Sequence, residues 1–98
     1  MYGHRPTYCS GLYLNQCGED ASTMSMAAHL RRRVEPLFMK AKVDLAIWGH
    51  EHAYERIHPV ANGTVLSRTT HDPPAPINLV LGMGGADNSY MKGWIGMS

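Results

Sequence analysis

Val43-Asp44-Leu45-Ala46-Ile47-Trp48-Gly49-His50-Glu51-His52 decides how this chain reads. The first six residues are mostly apolar and stop at a glycine, the pattern of a short buried strand. Two histidines follow at i and i+2. On an extended segment such side chains point the same way, so His50 and His52 are expected to aim at one place beyond the strand end. Gly49 is expected to give the chain freedom to turn there. Ligands commonly sit outside the carboxyl ends of strands in open α/β sheets. Imidazole nitrogens bind zinc, iron or manganese at about 2 Å. A His-x-His pair alone is weak evidence, but His4, in a Gly3-His4-Arg5-Pro6 turn, adds a third donor. His29, His58 and His71 lack such settings and read as structural or solvated.

Upstream, a helix is expected to start near Ser22, a good N-cap. Met26, Leu30, Val34, Leu37, Phe38 and Ala41 then follow helical spacing and would line one face. Pro36 falls inside that pattern and predicts a bent helix or two short ones. Arg31-Arg32-Arg33 would point in three directions, so they read as a solvated face and not as a phosphate clamp. Residues 1 to about 20 read as irregular, punctuated by Pro6, Gly11 and Gly18. Downstream, Val60 to Ser67 contains a hairpin turning at Asn62-Gly63. His71 to Pro76 is a loop, and Ile77 to Leu81 is a second apolar strand stopped by Gly82-Met83-Gly84-Gly85. The order loop, helix, strand, hairpin, strand describes an α/β layered piece, not a closed fold.

At 98 residues the chain holds one small domain with a thin core. A net charge of +1 gives no basic footprint for nucleic acid. No apolar run reaches membrane-spanning length, and the N-terminus has no signal-peptide pattern. Cys9 and Cys17 suit a disulfide in a secreted protein; two free thiols are the alternative the residues leave open. Asn62-Gly63-Thr64 fits an N-glycosylation acceptor and equally a plain Asn-Gly turn.

Leu45-Ala46-Ile47-Trp48-Gly49-His50-Glu51-His52-Ala53-Tyr54-Glu55-Arg56 resembles the last metal motif, G-H-x-H-A-Y-E-R, of the purple acid phosphatases, which are calcineurin-like metallophosphoesterases. Gly3-His4-Arg5-Pro6-Thr7-Tyr8-Cys9-Ser10 is similar to the G-H-R-P-M-Y-C-S form of the preceding motif, V-x-x-H, with Met1 where valine stands. Glu35-Pro36-Leu37, Lys42 to Leu45, and Ala75-Pro76 through Gly85 fall in family order. The resemblance implies a partial α/β/β/α metallophosphoesterase sandwich, with a mixed sheet and one bent helix. Residues 1–98 would be a C-terminal fragment of the catalytic domain, running into the start of the family's C-terminal region, with both ends truncated.

The resemblance also implies acid phosphatase activity on phosphate monoesters, at a centre of Fe(III) plus a divalent metal (Zn, Mn or Fe(II)). His4 and His50 would ligate the divalent ion and His52 the ferric ion. The remaining ligands come from earlier motifs, D-x-G, G-D-x-x-Y and G-N-H-E, and have no match here. Tyr54 is not the iron-binding tyrosine, and Tyr13 and Leu14 stand where plant enzymes carry a substrate-binding histidine pair. A ferric and a divalent ion bring five positive charges together, so anionic ligands are required. None stands out: Asp44 lies in the strand, Glu51 would point away from the histidines, Asp72 and Asp87 are in loops, and Glu55 reads as an ion pair with Arg56 or a local hydrogen bond. The expected partners are a phosphate monoester and the missing N-terminal half of the catalytic domain, with no nucleic acid and no membrane. The expected location is secreted, lysosomal or vacuolar, and the chain alone is expected to be inactive. Two alternatives are a mononuclear zinc hydrolase with a three-histidine site and a catalytically inert fragment.

Overall fold

The computed structural model describes residues 1–11, 14–18 and 25–85. Among them are β1 (Tyr2–Gly3), α1 (Leu14–Cys17), α2 (Met26–Lys40), β2 (Leu45–Trp48), β3 (Tyr54–Ile57), β4 (Val60–Ala61), β5 (Thr64–Val65) and β6 (Ile77–Leu81). A four-stranded mixed sheet runs β1-β2-β6-β3, and β4-β5 is a separate hairpin. β1 and β6 flank β2 in parallel, while β3 is antiparallel to β6. This is the mixed α/β arrangement expected.

β2 and β6 form where the apolar runs predict them, and β4-β5 turns at Asn62-Gly63. Both turn residues are left-handed, with φ of 49° and 73°, as a two-residue hairpin turn requires. Three elements depart from expectation. Tyr2–Gly3 is a strand, because pairing along β2 satisfies its backbone. Tyr54–Ile57 is a strand whose charged residues conceal it; Ile57 is buried while Tyr54 and Arg56 are exposed. α1 is a single turn.

α2 is one helix, not two, with Pro36 inside it. The ring removes one hydrogen bond, to the Arg32 carbonyl, and the rest of the helix carries through. The predicted cap, Ser22, lies outside the described residues. The N-cap is Ser25, whose side chain accepts from the Ala28 N–H at 3.2 Å. At the other end Lys42 is left-handed (φ 53°). Val43 N–H donates to the Phe38 carbonyl at 3.0 Å and Lys42 N–H to that of Met39 at 3.3 Å, a Schellman cap made without glycine. The buried stripe is also rotated from the expected one. Ala27, Ala28 and Phe38 are buried with Val34 packed beside them, whereas Met26, Leu37 and Ala41 are exposed.

The core lies between α2 and one face of the sheet, and joins Cys9, Cys17, Ala27, Phe38, Ala46, Trp48 and Val80. Trp48 stacks obliquely on Phe38 with ring centroids 6.1 Å apart, and its indole N–H donates to Asn78 Oδ1 at 2.8 Å. The same oxygen accepts from the Thr7 hydroxyl at 3.2 Å. Tyr8 ties three elements: its hydroxyl donates to Glu35 on α2 and accepts from Gly63 N–H at 3.2 Å, while Glu35 Oε1 accepts from Asn62 N–H at 2.8 Å. Burial and the bond to Glu35 push the Tyr8 phenol far above its ordinary pKa. Arg31 is not simply solvated; its guanidinium sits 4.5 Å over the Tyr8 ring. Arg32 and Arg33 are exposed, as expected.

Candidate metal centre

Three chain segments meet at the carboxyl end of the sheet. β1 and β2 are parallel and in register, Gly3 opposite Trp48, so the residues that follow leave the sheet side by side. Gly49 N–H donates to the carbonyls of both Gly3 (3.2 Å) and His4 (3.0 Å). That register brings together two histidines 46 positions apart. The third segment follows β6. A Cβ on Gly82 would lie 2.1 Å from the Glu51 carbonyl oxygen, so only glycine lets these backbones approach so closely.

His4 Nε2 and His50 Nδ1 face each other at 3.1 Å, with ring centroids 5.0 Å apart and planes at 75°. Two metal–nitrogen bonds of about 2.1 Å meeting at about 95–110° hold their nitrogens roughly 3.1–3.4 Å apart. The pair therefore fits two ligands of one ion. His52 is half-buried nearby and helps lower the His50 pKa.

The convergence does not arise from strand alternation. β2 ends at Trp48, and residues 50–53 are a series of bends. His50, not Gly49, adopts the left-handed conformation, with φ of 65°; histidine is among the residues that tolerate it. Glu51 N–H then donates to the Gly49 carbonyl and Ala53 N–H to that of Glu51, both at 2.8 Å. Glu51 is consequently not turned away: its buried carboxylate lies 4.0 Å from His50 Nε2.

Electrostatically the site disfavours charge. Burial, then Arg5, His4 and His52, push the His50 pKa down. Burial raises that of Glu51, with Glu55 adding to the rise and His52 and Arg5 opposing it. Among the described residues, the one group of three potential donors lying within 4.8 Å of one another is Cys9, Cys17 and Glu51. Its sulfurs are joined in a disulfide, Cα–Cα 5.1 Å, and are not thiolate ligands. The two-thiol alternative is thereby set aside.

The other carboxylates stand elsewhere. Glu55 accepts from the backbone N–H (3.0 Å) and hydroxyl of Ser10, tying β3 to the segment after His4. Asp72 pairs with His71 at an exposed site, and Asp44 lies beyond the opposite end of β2. Asp87, like Tyr13, is outside the described residues. A cavity of about 350 Å³ also lies at that opposite end, lined by Phe38, Val43, Asp44 and Pro76, and has no part in the histidine cluster.

Two contacts at the site escape a motif reading, one made by Arg5 inside the Gly3-His4-Arg5-Pro6 motif and one by Gln16 outside any motif. Arg5 donates to Gln16 Oε1 at 2.7 Å and lies 3.3 Å from His50 Nε2; Gln16 Oε1 lies 3.1 Å from the same nitrogen. The signal available for Gln16 was its place beside Cys17.

No protein-family model matches the chain. It is 36% identical over 90 residues to acid phosphatase type 7 of Mus musculus, covering 87% of this chain and 20% of that protein. It is 37% identical over 91 residues to probable inactive purple acid phosphatase 9 of Arabidopsis thaliana, covering 93% of this chain and 12% of that protein. A solved purple acid phosphatase from yellow lupin (Lupinus luteus) seeds superposes with a TM-score of 0.69 at 28% identity, covering 93% of this chain and 16% of that one. The chain thus spans about a fifth or less of the length of these relatives. Over nearly all of its own length, in sequence and in fold alike, the chain resembles the purple acid phosphatases.

Proposed function

We propose that this chain supplies the histidine ligands of a binuclear centre that hydrolyses phosphate monoesters, His4 and His50 holding a divalent ion (Zn, Mn or Fe(II)) and His52 a ferric ion. The observation that carries this reading is the 3.1 Å approach of His4 Nε2 to His50 Nδ1, across the ends of two parallel strands. The likeness to that family implies metal cofactors in general; their identity is our proposal. Such ions, when bound, acidify water and neutralise charge on the transferring group.

The chain's own residues prepare that site. β1 and β2 fix the His4 and His50 backbones, the left-handed turn at His50 aims its ring at His4, and the Glu51–Gly82 backbone contact buttresses the turn. Arg5 places a fixed positive charge beside the histidines, where an anionic substrate is drawn in. The anionic ligands come from the rest of a longer protein, as the small share of the relatives covered here suggests.

The alternative of one zinc on three histidines is weaker. Among the described residues, His4, His50 and His52 are not a group with ligand atoms all within 4.8 Å, which suits two ions better than one. The inert reading draws on the likeness to a relative named as probably inactive. The disulfide suits a secreted or vacuolar route, on which the exposed Asn62 turn would be a glycan acceptor.

The test is phosphatase assay with metal analysis. The chain alone, given iron, zinc and manganese, is expected to show negligible turnover of an aryl phosphate. Co-expression with the upstream part of its own open reading frame is expected to yield activity with two ions per assembly. His50→Ala should lower that activity at least about 100-fold, in line with loss of a metal ligand. Unchanged activity in that variant, or a single zinc per active chain, overturns the proposal.

A further inference from the structure

We infer that Gln16 is a positioning residue for His50, and that the Cys9–Cys17 disulfide is what holds it there. The inference rests on the reading of His50 as a metal ligand.

Hydrogen-bond chemistry assigns the atoms. Arg5 carries only donors, so the Gln16 atom 2.7 Å from its Nη1 is the carboxamide oxygen, not the nitrogen. That same oxygen lies 3.1 Å from His50 Nε2. An oxygen without hydrogen requires a donor opposite it, so Nε2 carries the proton. The neutral ring then has its lone pair on Nδ1, the nitrogen that faces His4 at 3.1 Å. Arg5 Nη1 also lies 3.3 Å from Nε2 and could donate there only to a lone pair, the opposite tautomer. Nη1 is already engaged with Gln16 at 2.7 Å, and the shorter 3.1 Å contact of Gln16 with Nε2 is the one that places the proton on Nε2. The Glu51 carboxylate, 4.0 Å from Nε2, favours the same tautomer.

Ligating histidines characteristically donate their second N–H to an acceptor that fixes tautomer and ring direction, and losing that acceptor typically weakens metal binding 10- to 100-fold. Gln16 has the chemistry of such an acceptor. Its anchorage is unusual. It sits on α1, a single turn whose own backbone bonds hold little. The next residue, Cys17, is fully buried in the core and bonded to Cys9, five positions after His4. The bridge therefore ties Cys17, next to Gln16, to Cys9, four positions after Arg5, where Arg5, Gln16 and His50 meet one another within 3.3 Å.

The test uses the full chain with zinc as probe. Long-range 15N correlation of the histidine side chains at pH 8 should show His50 as the Nε2–H tautomer. Gln16→Met, nearly isosteric but lacking the oxygen, should give a tautomer mixture and weaken zinc about 10- to 100-fold. Gln16→Glu, which keeps an acceptor, should restore both. A Cys9→Ser/Cys17→Ser variant, checked for folding by far-UV circular dichroism, should match Gln16→Met in zinc affinity, and adding Gln16→Met to it should cost little more. An Nδ1–H tautomer in the wild type, or zinc affinity unmoved by Gln16→Met, overturns the inference. His50→Ala separates the two levels: if it leaves zinc affinity unchanged, the ligand reading itself fails.

Discussion

The two faces of the four-stranded sheet are built from the same strands and have opposite surroundings. On one, Ala46 and Trp48 of β2, Asn78 and Val80 of β6 and Ile57 of β3 are buried. Leu45, Ile47, Ile77, Leu79, Leu81, Tyr54 and Arg56 alternate with them, and register places Leu79 between Ile47 and Arg56 on the other face. There Leu45, Tyr54 and Leu81 are 40%, 54% and 43% exposed. Composition alone does not separate the faces, since both are apolar. The difference lies in what covers them: α2 and the disulfide loop on one side only. A side chain contributes to stability by what it displaces water against, so equal hydrophobicity on the two faces predicts unequal mutational cost.

The largest effect is expected at Trp48. Its ring packs on Phe38 and its N–H satisfies Asn78, so Trp48→Ala removes packing and leaves a buried acceptor short of a partner. A cost of about 3–5 kcal/mol is expected, enough to unfold a small domain; urea titration followed by far-UV circular dichroism reads it. If Trp48→Ala cost no more than a truncation on the open face, the contrast between faces would be wrong. Next is the disulfide. Cys9–Cys17 closes a short loop, and its reduction should lower stability by about 2–3 kcal/mol, checked by denaturation with and without reductant.

How much of this was legible follows the same physics. β6, β2 and the Asn62-Gly63 hairpin announce themselves locally, through apolar runs and a turn dipeptide whose backbone demands are strict. β1 and β3 do not, because Tyr2–Gly3 and Tyr54–Ile57 become strands only by pairing with β2 and β6. The histidine motif marked His4 and His50, which the structure brings together, though not by the geometry expected. Strand alternation was expected to align His50 with His52, whereas a left-handed His50 and the parallel β1–β2 register bring His50 to His4. Glu51, Gln16 and Arg5 could not be read, since their roles depend on that turn and on a cross-link. The exposed Leu37 shows the converse: helical spacing marks an apolar stripe, but the partner decides which stripe is buried.

A smaller effect tests the histidine end, where burial works against charge. The folded-state pKa of Glu51 is raised by burial. A raised pKa means that stability is full below the unfolded value, about 4.3 for glutamate, and is lost as pH rises through the folded value. Glu51→Gln removes that loss, so its melting temperature should exceed the wild type's at pH 7, the gain fading as pH falls below about 4. His50, with a lowered pKa, acts oppositely: its stability is present above about 6.5 and is lost as pH falls through the folded value. The variant isolates the carboxylate, because His50 is common to both proteins. A melting temperature lower than the wild type's at pH 7 would mean that the Glu51 charge is compensated in the fold.

The smallest effect is expected at Leu79, and it tests the comparison most directly. Leu79 sits mid-strand in β6, one position from fully buried Val80, yet only half-buried itself. Its neighbours are Ile47 and Arg56, and its partly exposed side chain lies on the face that, among the described residues, α2 does not cover. Leu79→Lys keeps a long aliphatic stem that can lie along Ile47 while the ammonium reaches solvent. The stability change should stay within about 1 kcal/mol, against several for a charge placed at a fully buried position. An exposed apolar sheet face also favours self-association, so the same lysine should lower the sedimentation-average mass at high protein concentration. If Leu79→Lys unfolded the chain as Trp48→Ala is expected to, the second face would have to be covered in solution, and the asymmetry on which the ranking rests would disappear.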